Sequence, residues 1–192
     1  MQIIAGIHKG RKIIAPHGMK TRPTGARVRE SLFSILGQRN EGAEVLDLFA
    51  GSGALGIESM SRGAAKVVFV DNSSGAADAI RNNCQTLKIE FAKIVKKDVL
   101  AFLKGNKTKN QFDLIFADPP YNKNFPKEIL ELVDEYGWLR ENGILVVEES
   151  AKAIIEEKIG NILLQDRRNY GDTCLFFFGL QKENKHESGL SG

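Results

Sequence analysis

Cysteine is almost missing from this 192-residue chain: Cys84 and Cys174 are the only two and stand far apart. No basic-then-apolar leader opens the chain at Met1-Gln2-Ile3. The two cysteines therefore read as buried thiols in a reducing compartment, not as a disulfide or a metal site. Histidine is equally sparse, and His8, His17 and His186 form no ligand spacing, so no metal is expected. No apolar run approaches the roughly 20 residues that a membrane-spanning helix needs. Repeats, linkers and low-complexity blocks are lacking too. The length suits one domain with a real core. A monomer working in the cytoplasm, away from any membrane, is the expectation.

What is present is more specific. The run from Phe112 to Ala117 is short, apolar and preceded by the turn-forming stretch from Gly105 to Asn110, so it reads as a buried strand. It ends in Asp118-Pro119-Pro120-Tyr121. The prolines fix φ and bring no N–H, so nearby carbonyls can point outward as acceptors beside a carboxylate and an aromatic plate. Such a set suits a flat base carrying an exocyclic amine. The plain alternative is a strand followed by a Pro-Pro turn, with Tyr121 as a core aromatic.

Upstream, Val45 to Glu58 reads as an apolar strand running into Gly51-x-Gly53-x-x-Gly56 and then a helix. Gly51 and Gly53 admit positive φ and close approach of backbone to a ligand, while Gly56 allows a helix to pack tightly on a strand. The next strand, Lys66 to Val70, ends at Asp71, placed to accept hydrogen bonds from ribose hydroxyls. A dinucleotide site would fit the same pattern. Asp47, four residues before Gly51, tilts the choice, because a carboxylate there repels a pyrophosphate and attracts the ammonium of an amino-acid-bearing nucleoside. S-adenosylmethionine is such a ligand. Asp47 could also be a strand-end carboxylate that ties the glycine loop.

Together the two motifs resemble the methyltransferase superfamily that binds S-adenosylmethionine on a doubly wound sheet. The resemblance implies that Asp47, Gly51 and Gly53 form the cofactor's glycine loop, that Asp71 is the ribose acid, and that Asp98 and Val99 meet the adenine. Asp118, Pro119 and Tyr121 match its amino-methylating tetrad. The likeness extends to Ile4-Ala5-Gly6, Lys9-Gly10-Arg11-Lys12, Arg22-Pro23-Thr24, Arg27-Val28-Arg29-Glu30, Leu32-Phe33 and the late Tyr170-Gly171-Asp172-Thr173. These look like the bacterial 16S ribosomal RNA guanine-N2 methyltransferases, and the likeness runs from Ile3 to about Leu180. Two departures stand out: Ala26 replaces the usual Asp after Arg-Pro-Thr-x, and Ser34 replaces a frequent Asn. Both fall in the segment expected to face RNA. The chain is too short to add a large DNA target-recognition domain.

Charge is divided unevenly. Residues 1–40 hold eight Lys or Arg against one acid, Glu30, a net +7; with the whole chain at +3, the remainder carries −4. A basic arm on a slightly acidic domain is an electrostatic footprint for a phosphate backbone. Arg11, Arg22, Arg27 and Arg29 are the expected RNA contacts, with 16S ribosomal RNA, free or in a small-subunit particle, as the partner. The resulting division is a basic extension over 1–40 packed on a catalytic domain over 41–182, with a polar tail over 183–192.

The fold class expected is α/β: a doubly wound, mostly parallel, seven-stranded Rossmann-like sheet with a small N-terminal β-hairpin and helix extension. Residues 2–15 read as the hairpin, and Thr24 as the cap of a helix with Val28, Leu32, Ile35 and Leu36 on one stripe. Strand three spans about 92–97, with Asp98 as a possible cap for a short helix. Strand five covers 144–148, Ile154 to Lys158 looks helical, and 162–164 pairs antiparallel with 174–178. An adenine-N6 or cytosine-N4 methyltransferase stays open, because Asp-Pro-Pro-Tyr does not separate these amines. A dinucleotide oxidoreductase or a silent RNA-binding module would be the readings outside this class.

Overall fold

In a computed structural model of the chain, residues 1–16, 25–105, 111–121 and 124–181 are described. Thirteen elements matter here. In chain order they are α1 (Ala26–Leu36), β1 (Glu44–Leu48), α2 (Ala54–Ser61), β2 (Lys66–Asp71), α3 (Ser74–Leu87), β3 (Ala92–Lys96) and α4 (Val99–Lys104). β4 (Phe112–Ala117), α5 (Phe125–Tyr136), β5 (Leu139–Ser150), β6 (Lys158–Ile159), β7 (Ile162–Tyr170) and β8 (Thr173–Leu180) complete the set.

The strands form one sheet in the order β3-β2-β1-β4-β5-β8-β7-β6. β3 through β5 are parallel, and β8, β7 and β6 add antiparallel pairings at the β5 side. Alternate strand residues feed two cores. Val45, Phe69, Phe116, Val146 and Phe177 pack with α1, α2 and α3 on one face. Leu46, Val70, Ile115, Val147 and Phe178 pack with α4 and α5 on the other. Covering both faces explains why the central strands read as continuous apolar runs. Gly56 serves the packing expected of it: a Cβ there would press into Val67 and Phe69 of β2.

Three expectations need correction. Among the described residues the sheet has eight strands, not seven, because the short β6 adds an edge. The N-terminal hairpin, by contrast, is present: Ile3 N–H donates to the Arg11 carbonyl at 3.0 Å, Gly10 N–H to the Ile3 carbonyl at 2.8 Å and Ile13 N–H to the Met1 carbonyl at 3.0 Å, around an antiparallel bridge from Gln2 to Lys12. Other N–H groups of the segment turn to α2. Glu58 accepts from Ile4 and Ala5, and Ser61 accepts from Ile7 and His8. The stretch 154–158 is not helical: Ile154 is fully exposed, so no apolar stripe is buried there, and Lys158–Ile159 joins the sheet. The buried stripe of α1 is Arg29, Leu32, Phe33 and Leu36, turned away from Ile35, which is 42% exposed. Thr24 lies outside the described residues, and Gly25 precedes the helix without a side-chain cap.

Candidate active site

β1, β2, β3 and β4 present Asp47, Asp71, Asp98 and Asp118 at or just beyond their C-terminal ends. Because these strands are neighbours and parallel, the four acids share one edge of the sheet, where ligands bind in this architecture.

The turn after β1 is held in an unusual backbone shape. Phe49 has φ +56°, and Gly51 and Gly53 have +55° and +77°. Left-handed backbone at a non-glycine residue is strained and clusters at functional sites. Among the described residues a Cβ on Gly51 would meet only the Phe49 carbonyl at 3.9 Å, so none of them fills the space over the turn. Gly53 caps α2, and a side chain there would crowd Ile80 and Phe69.

Asp47 is buried, and its Oδ2 accepts the Gly56 N–H at 2.9 Å. It thus ties the glycine turn, and its carboxyl is pushed up to about 7, by burial first, with Asp71 adding repulsion and the Gly56 N–H opposing. Asp71 accepts from Gly51 N through Oδ2 at 2.9 Å and from Ser73 N through Oδ1 at 2.8 Å. Each carboxylate oxygen has a second lone pair, so neither is closed to a ligand hydroxyl. Asp98 caps α4, accepting from Ala101 N at 2.9 Å, and is exposed, while Val99 beside it is buried.

At the end of β4, Asp118 is half-buried, Pro119 buried, Pro120 exposed and Tyr121 half-buried. Tyr121 does not stand loose. Its hydroxyl lies 3.3 Å from Glu148 Oε1 and 3.3 Å from Thr173 Oγ1. Burial first, then the nearby Glu148 and Asp118 carboxylates, push the phenol up to about 12, with the Thr173 contact opposing. Tyr121 therefore stays a neutral donor at working pH.

The basic arm divides. Arg27 is exposed on the first turn of α1, and Arg11 donates to the Thr86 carbonyl at 3.3 Å on the surface. Arg29, expected on the surface with them, is buried instead. It is 2% exposed, donates to the Gln2 carbonyl at 2.6 Å and meets the Met1 sulfur at 3.6 Å, because α1 turns that position onto the N-terminal segment. Arg22 lies outside the described residues.

Several polar residues at the site were not singled out from sequence. Asn83 of α3 accepts from Ile14 N, donates to the Ile14 carbonyl and donates to the Ser52 carbonyl of the glycine turn. Glu58, Glu148 and Thr173 are likewise buried and bonded. Their partners lie tens of residues away, and only an Asn or Glu inside an otherwise apolar pattern could have flagged them. Both cysteines are free and buried, and no carboxylate, histidine or cysteine cluster fit for a metal occurs among the described residues. Among the described residues no helix is long and apolar enough to cross a membrane.

A parallel sheet running β3-β2-β1-β4-β5 with an antiparallel strand inserted beside β5 makes this a Rossmann-like methyltransferase fold. The solved yhhF protein of Escherichia coli matches it with a TM-score of 0.85 at 31% identity, over 94% of this chain and 98% of that one. The family described as Conserved hypothetical protein 95 matches residues 1–179, and the chain belongs to it. It is 40% identical over 158 residues to Ribosomal RNA small subunit methyltransferase D of Haemophilus influenzae, covering 81% of this chain and 82% of that protein. YlbH of Bacillus subtilis is 38% identical over 175 residues, 90% of this chain and 95% of that one. The chain is thus a member of a ribosomal RNA methyltransferase family.

Proposed function

We propose that this protein transfers a methyl group from S-adenosylmethionine to the exocyclic N2 amine of a guanine in 16S ribosomal RNA, in the cytoplasm, on free RNA or a small-subunit particle. The reading rests on one placement above all: Asp118-Pro119-Pro120-Tyr121 ends β4, whose register with β1 sets it beside the glycine turn. The donor supplies an electrophilic methyl on a sulfonium. Asp47, Gly51, Gly53, Asp71, Asp98 and Val99 would hold it, and the space over Gly51 that none of the described residues fills, beside a buried carboxyl, fits a cationic nucleoside.

The acceptor residues do the remaining work. The guanine amine is a poor nucleophile because its lone pair is delocalised into the ring. The Asp118 carboxylate and the Pro119 carbonyl take its two hydrogens, turning that lone pair toward the methyl and stabilising positive charge on nitrogen as it develops. Such a preorganised group is worth roughly 2.7–4 kcal/mol. The amine becomes acidic only once it is charged, and its proton then passes to Asp118 or water. Tyr121 stacks on a base that has left its helix or lies in a loop, a contact worth about 1–3 kcal/mol. Arg27, Arg11 and Arg22 take phosphates, with planar forks that stay charged.

The deciding experiment is tritiated methyl transfer to ribosomal RNA from methylation-deficient cells, followed by nucleoside analysis. N2-methylguanosine is expected; N6-methyladenosine or N4-methylcytidine would replace the assignment.

A further inference from the structure

We infer that Glu148 selects guanine by accepting the N1–H of the target base, beside the N2 amine that Asp118 holds; this rests on the guanine-N2 reading above. β4 and β5 are adjacent and parallel, with Ala117 opposite Val147, so Asp118 and Glu148 each follow a paired residue by one position at the same edge. Glu148 is 6% exposed and lies opposite Leu175, while Thr173 opposes Ser150. On β5, Val146 packs toward α1, and strand alternation puts Glu148 on that side and Glu149 on the other. Glu149 accepts its own strand neighbour, the Ser150 N–H, at 2.7 Å.

Glu148 is held where a base stacked on Tyr121 would end. The phenol hydroxyl lies 3.3 Å from Glu148 Oε1 and is braced by Thr173 Oγ1 on its other side. The pressure of both Glu148 and Asp118 on that phenol shows that the two carboxylates share its surroundings. Guanine carries two neighbouring donors on this edge, N1–H and the N2 amine. Adenine and cytosine carry an amine beside a ring nitrogen with a lone pair. A carboxylate next to the amine acceptor completes guanine and repels the other two, so one group supplies both attraction and rejection.

The test compares kcat/KM on target RNA, assembled into the particle if naked RNA is inert, carrying guanosine or 2-aminopurine riboside at the methylated position. The analogue keeps the amine but has a lone pair at N1. Wild type should favour guanosine by roughly 10- to 100-fold, the discrimination of one good base-edge pair. Glu148→Gln, whose amide can donate to that lone pair, should shrink the preference about tenfold while its S-adenosylmethionine affinity holds. Glu149→Gln should keep the wild-type preference. Equal wild-type rates on both substrates would overturn the assignment without any variant. So would an unchanged preference in a Glu148→Gln protein that binds the donor, or the same drop in Glu149→Gln. Wild type that methylates adenine or cytosine but never guanine would remove the proposed function and Glu148's role together.

Discussion

Asp71 ties the end of β2 to the glycine turn of β1: its Oδ2 accepts the Gly51 N–H at 2.9 Å, and its other oxygen accepts Ser73 N at 2.8 Å. Asp71→Ala removes this brace and the acceptors proposed for the ribose. These contacts exist in ground and transition states alike, so the KM for S-adenosylmethionine should rise roughly tenfold or more with kcat nearly kept. Steady-state kinetics with saturating RNA decides it, and an unchanged KM would take Asp71 out of the site.

Asp118→Ala should do the opposite. Methyl transfer falls by about 100-fold or more, the loss seen when a preorganised electrostatic group is removed. Calorimetric affinity for the donor stays within a few-fold. A variant that lost donor affinity but kept its turnover would reverse the division of the site.

Arg29 is a latch, which separates it from the rest of the arm. Arg29→Ala removes the buried guanidinium that donates to the Gln2 carbonyl, a charge-assisted hydrogen bond worth about 1.5–3 kcal/mol. The melting temperature should drop by several degrees while the salt dependence of RNA binding stays at the wild-type slope. Arg27→Ala should show the reverse, a shallower slope at unchanged melting temperature. Equal salt slopes for both variants would remove Arg27 from the RNA surface.

How much could be read in advance depended on where the partners lay. The glycine turn, the acid ending β2 and Asp118-Pro119-Pro120-Tyr121 are each decided within a dozen residues, so spacing exposed them. Arg29 looked like one more basic residue of the arm, because its partners Gln2 and Met1 come from another segment. Asn83 sits inside an amphipathic helix and reads as solvated polar surface until Ile14 and Ser52 are brought to it. Glu148 and Thr173 meet Tyr121 only through the β5 and β8 pairing. Ile154 and Ile155 supplied apolar character at 154–158 without a helix face to bury, which is why that stretch misled.

The buried Asp47 makes a pH prediction. Its folded value of about 7 lies above the ordinary carboxylate range, so the folded protein holds a proton that the unfolded chain has released. Stability from this group is complete below pH about 4 and is lost as pH rises through 7. Asp47→Asn should flatten that decline between pH 5 and 8 in urea titrations. A cationic donor reverses the preference, favouring the ionised carboxylate, so donor affinity should grow from pH 6 to pH 8 in wild type and not in Asp47→Asn. Parallel pH profiles in the two proteins would detach Asp47 from both effects.

Asn83 holds the main chain of Ile14 with both ends of its amide, and its NH₂ group also donates to the Ser52 carbonyl. The ordering of the first residues and the ordering of the glycine turn therefore draw on one side chain, and their free energies are not independent. Thermodynamic coupling of this kind is reciprocal. Whatever fixes the N-terminal segment also stiffens the turn, and a ligand that stiffens the turn returns the same free energy to the segment.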